Sequence, residues 1–404
     1  MYDVWLDAVE NDEVSAVVML DMSAAFDVVD HEILLDKLKI YGVDESGLSW
    51  LKSYLSGRSQ QVYIDGVLSE PLIDGVPQGY MLGPLYSLFT NDLPEVIHNH
   101  LADNETFFNI KCSSCGSVCC YADDSTYTIS SQDTDELNIA IDTKYKEIER
   151  YMASNKLVLN SDKTHLLVMA TPYQHRHFQD FGISLNTGEE IIEPIATEKL
   201  LGGHITNNFS FNEHLKDNEK SLIRSLTSRV NALAKISKIS SLKTRKMLAD
   251  GLVTSKLLYL IQWWGGTHKY LINHLQILQN RAARLVTKSA WGTSTKVILS
   301  QCGWLSVSQL VHFHSLTLAY KMKKDQKPEY FRSKFNNNFP YDTRLSTEAG
   351  FRRQDHCSLE TTMTSFIPRT TKLWNDLPPE VRTAPTLKSF KVKLKTWILK
   401  TLPI

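Results

Sequence analysis

The stretch Tyr121-Ala122-Asp123-Asp124 constrains the fold of this chain more than any other. Ser117-Val118-Cys119-Cys120 leads into it and Ser125-Thr126-Tyr127-Thr128-Ile129 leads away, so the pattern reads as two short strands with the acids at the tip of a hairpin. Neighbouring like charges repel, and a fold that keeps them together supplies a counter-charge. A divalent metal is one candidate; an ordinary Asp-Asp turn is the plain alternative. The metal gains weight from a second acid in a similar setting. Val14 to Leu20 reads as a buried strand that ends at Asp21, followed by small residues and the aromatic Phe26. Between the two acidic segments lies a loop punctuated by glycine and proline, Gly75 to Pro84.

The order of these stretches resembles a known family. Leu20 to His31, Gly75 to Leu85 and Tyr121 to Asp124, with Asn91-Asp92-Leu93-Pro94 alongside, resemble motifs A, B and C of reverse transcriptases. The similarity is to those of non-LTR (LINE-type) retrotransposons, in the Jockey and chicken-repeat-like group. Further likenesses extend along the chain: Lys199 to Ile205 to the motif E hairpin, Leu278 to Arg284 to an element that follows the thumb, and Leu373 to Glu380 to the C-terminal region. The fold class so implied is α+β: a right-hand polymerase palm on a ferredoxin-like antiparallel sheet, then a helical thumb and a mostly helical C-terminal region. The expected boundaries are residues 1–214 for the palm with partial fingers (an insertion at about 97–117), 215–294 for the thumb-like region and 295–404 for the C-terminal region.

The implied activity is RNA-directed DNA synthesis from dNTPs on an RNA template and a DNA primer. Two metals can activate a primer hydroxyl and stabilise departing pyrophosphate, and Mg²⁺, with Mn²⁺ as a substitute, takes oxygen ligands. Asp21 and Asp123 are the principal ligand candidates, with Asp124 in the same cluster. The resemblance gives Phe26 the task of excluding a 2′-hydroxyl by its volume, although a core aromatic fits the residue pattern too. It brings Gln78 and Gly79 to the nucleotide and template base, makes Lys163 a proton donor to pyrophosphate, and leans Arg58 toward the template; a plain surface charge is the other reading of Arg58. Two positions depart from the family pattern: Tyr80 in motif B and Leu200 in place of the usual motif E tyrosine. Little chain precedes Asp21, so a partner or a missing N-terminal segment is expected to supply fingers and endonuclease. The competing reading is a non-catalytic nucleic-acid-binding remnant of the same fold.

Charge separates the chain. Residues 1–150 carry 27 acids and 8 Lys and Arg, against 18 and 36 in the remainder, although the net charge is only −1. An acidic part suited to metal and a basic part suited to phosphate follow, with a solvated basic face as the plain alternative for the latter. The first residues lack an apolar leader and the best apolar run, Leu257 to Trp264, is far too short for a membrane span, so an intracellular place, nucleus or cytoplasm, is expected. Cys112, Cys115, Cys119 and Cys120 invite a zinc reading; a loop insertion of reduced thiols is the alternative.

Element expectations follow periodicity and caps. Helices are expected over 31–40 with Asp30 as N-cap, 44–55, 85–89, 135–155, 242–259, 271–286 and 387–400. A second hairpin is expected from Leu157-Val158-Leu159 and His165 to Met169, and residues 333–362, polar with little periodicity, read as a loop or partly disordered link.

Overall fold

The structure, a computed structural model, describes residues 1–71, 74–76, 83–96, 117–177, 182–325, 335, 350–352 and 359–402. The chain folds as two compact units: residues 1–201 with 207–209, and residues 202–206 with 210–404.

The first unit is built on one antiparallel sheet. Its strands are β1 (Val14–Leu20), β4 (Ser117–Tyr121), β5 (Asp124–Ser131) and β6 (His165–Met169), in the order β4-β5-β1-β6. A separate exposed ribbon pairs β2 (Tyr63–Ile64) with β3 (Val67–Leu68). β1 is buried along its whole length, as expected of an unbroken Val-rich run at the centre of a sheet covered on both faces. Val14, Ala16, Val18 and Leu20 face a core shared with helices α2 (His31–Ile40), α3 (Glu45–Leu55), α4 (Pro84–Phe89) and α5 (Thr134–Ser154). The other face receives α1 (Tyr2–Glu10), whose buried Trp5 donates Nε1–H to Thr128 Oγ1 at 3.0 Å.

Local signals account for these helices. Asp30 accepts from the Glu32 and Ile33 amides, and Asp133 from those of Asp135 and Glu136, which supplies first-turn N–H groups with the partners the helix cannot give them. On α5, Leu137, Ile141, Tyr145, Ile148 and Met152 form the buried stripe that their spacing predicts. A second device ties three helices together: Lys37 Nζ on α2 donates to Phe89 O at 2.7 Å and to Asp92 Oδ1 at 2.8 Å, and Tyr151 OH of α5 donates to the same carboxylate oxygen at 2.6 Å.

One expected element differs. Leu157-Val158-Leu159 does not form a hairpin with β6. β6 pairs with β1 instead, and the 157–159 segment runs back along the chain beyond β1, where Leu159 bridges Met22 and the Asn160 amide donates to Asp21 O at 2.9 Å. A 3₁₀ turn, Ser161–Lys163, separates the two stretches. Pairing with a buried central strand removes more apolar surface from water than a local hairpin would.

The second unit is helical. Its larger helices are α6 (Leu222–Ser237), α7 (Leu242–Ala249), α8 (Lys269–Thr287), α9 (Thr295–Cys302), α10 (Val307–Asp325), α11 (Phe366–Asn375) and α12 (Leu387–Thr401). The helix expected over 242–259 is broken by a π-helical turn at Asp250–Thr254, which contains Gly251. Residues from Leu215 to Ile398 share one core, with Trp264, Trp374 and Phe390 fully buried and Tyr320 stacked on Phe390 at 4.3 Å between ring centres. Among the described residues no helix is long and apolar enough to cross a membrane.

Candidate active site

The sheet brings the three aspartates to one end. β1 runs antiparallel to β5 with Leu20 opposite Ser125, so Asp21 leaves the sheet where β5 begins at Asp124. On the other side of β5, Tyr121 pairs with Asp124 across a two-residue turn. Ala122 takes a left-handed φ of 54° in that turn, which lets the strands reverse and sets Asp123 at the tip.

The electrostatics follow from this convergence. The Asp124 carboxyl is held above the usual carboxylate range by partial burial and by the charges of Asp123 and Asp21, with Lys199 pulling the other way. The Tyr86 hydroxyl, on α4, is likewise pushed up by burial and by Asp123, and it donates to the Met22 sulfur at 2.9 Å. Lys163 Nζ lies 3.2 Å from Asp21 Oδ2. A cavity of about 180 Å³ is lined by Asp21, Asp124, Lys163 and also by His165, Glu198 and Lys199. Sequence reading did not single out those last three as site residues. They arrive from β6 and from the strand Thr197–Leu200, and only non-local packing places them here.

Phe26 stands at the same end. Its ring lies on Tyr86, 4.5 Å between centres at an interplanar angle of 32°. The segment that leads toward motif B is fixed against the Phe26 turn: Val76 N donates to Phe26 O at 2.8 Å, Gly75 N to Val29 O at 3.0 Å, and His31 Nε2 lies 2.7 Å from Gly75 O. Gly75 has a φ of 95°, and a Cβ there would meet Phe26 O at 2.7 Å and Asp27 Cα at 2.8 Å, so glycine is required on two counts.

The remaining candidates fall elsewhere. Arg58 stacks over Tyr54 at 3.9 Å and lines a separate cavity of about 140 Å³ with Asp27, His31 and Asp74. Gln78, Gly79 and Tyr80 lie outside the described residues, as do Cys112 and Cys115 of the zinc reading. Cys119 and Cys120 are both free thiols on β4, and burial raises that of Cys120. The motif E stretch forms two strands, Thr197–Leu200 and Gly203–Thr206, on either side of Leu201 and Gly202, both at positive φ.

Among the described residues no three His, Cys, Asp or Glu side chains form a ready metal cage. Mg²⁺ does not need one, because it binds through one or two carboxylates together with waters and substrate phosphates. Hard carboxylate oxygens fit such an ion, and the charges of Asp123 and Asp21, which add to burial in raising Asp124, would favour it.

An antiparallel sheet with helices packed on it and carboxylates gathered at one strand end is the arrangement expected of a right-hand polymerase palm. Residues 6–192 match the family model described as "Reverse transcriptase (RNA-dependent DNA polymerase)". Residues 6–192 thus carry a reverse transcriptase domain, similar to those of non-LTR, jockey-like elements, and reverse transcriptases generally use divalent metal ions. The chain is 28% identical over 291 residues to a probable RNA-directed DNA polymerase from transposon BS of Drosophila melanogaster, covering 70% of this chain and 30% of that protein. It is 27% identical over 296 residues to the RNA-directed DNA polymerase from mobile element jockey of the same organism, covering 72% and 30%. The chain therefore spans about 30% of the length of these curated relatives. Among solved structures, apo telomerase from Candida tropicalis is similar at 13% identity and a TM-score of 0.35, covering 74% of this chain and 47% of that one.

Proposed function

We propose that this chain carries out RNA-directed DNA synthesis, adding deoxynucleotides from dNTPs to the 3′-hydroxyl of a DNA primer on an RNA template. The observation that carries the reading is the meeting of Asp21, at the end of β1, with Asp123 and Asp124 at the hairpin tip, inside a reverse transcriptase domain. Asp21 and Asp123 would hold two Mg²⁺ ions, or Mn²⁺ in their place, with Asp124 adjoining. When bound, such ions activate the attacking hydroxyl and stabilise the departing pyrophosphate.

The protein's own groups do the rest. Lys163 holds its ammonium beside Asp21, where it balances carboxylate charge and can give a proton to pyrophosphate. Phe26, backed by Tyr86, forms a wall whose volume excludes a 2′-hydroxyl. The family resemblance assigns Gln78 and Gly79 to the nucleotide and template base, and Arg58 to the template. Residues 215–294 act as a thumb-like region and 295–404 as a C-terminal region. On α6, Arg224, Thr227, Ser228, Asn231 and Lys235 line an open groove suited to a duplex backbone. These substrates place the protein inside the cell, in the nucleus or cytoplasm.

Primer extension tests the reading, with Mg²⁺, dNTPs, an RNA template and a DNA primer, beside a Phe26→Val variant. Extension by the unaltered chain, with ribonucleotide incorporation rising in the variant, is the expected result. Failure of the unaltered chain to extend while it still binds the primed template would overturn it.

A further inference from the structure

Residues 251–324 form an unbroken stretch without a single Asp or Glu, although they hold nine Lys and Arg. Helix α8 runs through this stretch and carries two unlike faces. Leu271, Leu275, Gln279, Ala282, Ala283 and Val286 are buried. The opposite face, at spacings of three and four, carries Tyr270, His274, Ile277, Arg281 and Arg284, and Lys288 follows at the C-cap with a φ of 56°. From Tyr270 to Arg284 this stripe extends roughly 21 Å.

The stripe carries rings at its first end and cations at its second, with a further ring, Trp291, just beyond. His268 and Tyr270 stack at 6.0 Å and 17°, and His274 meets the Tyr270 edge at 6.3 Å. At the other end Trp291, in the turn after α8, is 79% exposed. Arg284 lies over one face of its indole at 5.1 Å to the centroid, and Arg284 Nη2 donates to Thr293 O at 3.2 Å. The guanidinium thus holds the indole upright in water and leaves its second face uncovered. Leaving a tryptophan this exposed forgoes its burial energy, which is large. The neighbouring cations are Arg281, Lys288 and Lys296, all exposed.

We propose that this face is a track for single-stranded nucleic acid, separate from the groove on α6. A base stacks on the open face of Trp291, and Arg281, Lys288 and Lys296 take the phosphates on either side. An exposed aromatic platform flanked by cations suits a single strand, because every base offers a π-face while a duplex hides them. Acidic proteins and anionic membranes also match the charge, but neither calls for a guanidinium-backed indole standing free. The proposal does not depend on polymerase activity; it needs only that the helical unit meets unpaired RNA or DNA.

Photocrosslinking of the full chain tests it. The probe is a 16-nucleotide RNA with 5-bromouridine throughout, and crosslinked peptides are identified by mass spectrometry. The expected result is a crosslink in the peptide that holds Trp291, lost in Trp291→Ala and kept in Trp291→Phe. Single-strand affinity should fall about tenfold in Trp291→Ala, the loss of one stacked base, and change little for a fully paired duplex. Circular dichroism confirms that both variants fold, as the exposure of the side chain leads one to expect. Crosslinks confined to other peptides, or equal affinity in all three proteins, would overturn the proposal. So would binding to phosphatidylserine vesicles that is lost in Trp291→Ala while the RNA crosslinks stay unchanged.

Discussion

The two units solve opposite electrostatic problems. In the sheet unit, carboxylates are driven together: Asp21, Asp123 and Asp124 meet at a strand end, with Lys163 and Lys199 standing against them. In the helical unit, positions 220–324 hold one acid, Asp250, against 17 Lys and Arg. That acid is engaged, accepting Trp304 Nε1–H at 2.8 Å. A near-neutral whole chain hides this division. The difference teaches that net charge describes solubility, whereas the distribution of charge separates a cluster of acids suited to cations from a run of bases suited to anions.

The first way to break the comparison is to ask whether the helical unit owes its stability to its core rather than its charges. Trp374 is fully buried against Phe351 and Phe390. Trp374→Ala should cost about 3–5 kcal/mol in urea unfolding. Lys238→Gln, on the exposed surface near α6, should leave the midpoint almost unchanged.

Acid sharpens the contrast. His214 and His312 in the helical unit are held neutral by burial, with neighbouring cations adding to the effect, and their pKa values fall to about 4. In the unfolded chain a histidine titrates near 6.5, so between 6.5 and 4 the unfolded state binds more protons and stability falls with falling pH. The loss should reach up to about 3 kcal/mol for each histidine and should be complete near pH 4. Asp30 in the sheet unit behaves differently. Burial opposes its charge, but hydrogen bonds from Lys156 and from the Ile33 and Glu32 amides hold its carboxyl below the usual range. Its contribution persists through that window and is lost only as pH falls below the ordinary aspartate value. Thermal melts of the helical unit's His214→Phe and His312→Phe variants between pH 7 and 4 should show a shallower acid loss.

Binding gives a smaller effect. Replacing Arg224 and Lys235 on α6 with glutamine should weaken duplex binding about tenfold and reduce the slope of log K against log salt by about 2, since each cation displaces counter-ions from roughly one phosphate. An unchanged slope would remove α6 from the duplex path. The smallest expected effect is at a cap: Asp133→Ala removes two amide contacts at the start of α5 and should cost about 1 kcal/mol.

Much of the sheet unit was legible because its signals are local. Asp30 caps the helix at the position its side chain suggested, and the turn at Ala122 and Asp123 falls between the expected strands. The approach of Asp21 to the hairpin was suggested by its similar strand-end setting and by the family resemblance, and pairing of β1 with β5 supplies its physical basis. What was illegible is non-local. The partner of β6 is β1 rather than the nearby 157–159 segment, because a short continuous apolar run does not state which strand it will join. His165, Glu198 and Lys199 reach the cavity for the same reason, from strands whose own sequences carry no catalytic pattern. The break at Asp250–Thr254 was hidden by apolar residues that keep a helical period on both sides of it.

The most direct test of the division between a chemical unit and a binding unit is one variant read in two ways. Asp123→Asn preserves size and removes a charge at the hairpin tip. Single-turnover primer extension and equilibrium binding of the same primed RNA template would be measured side by side. The expected result is a rate about a thousandfold lower or more, as for loss of an essential electrostatic group, with an affinity changed by no more than about twofold. Extension that survives in the variant, or a loss of affinity as large as the loss of rate, would contradict the assignment of chemistry to the carboxylates and binding to the helical unit.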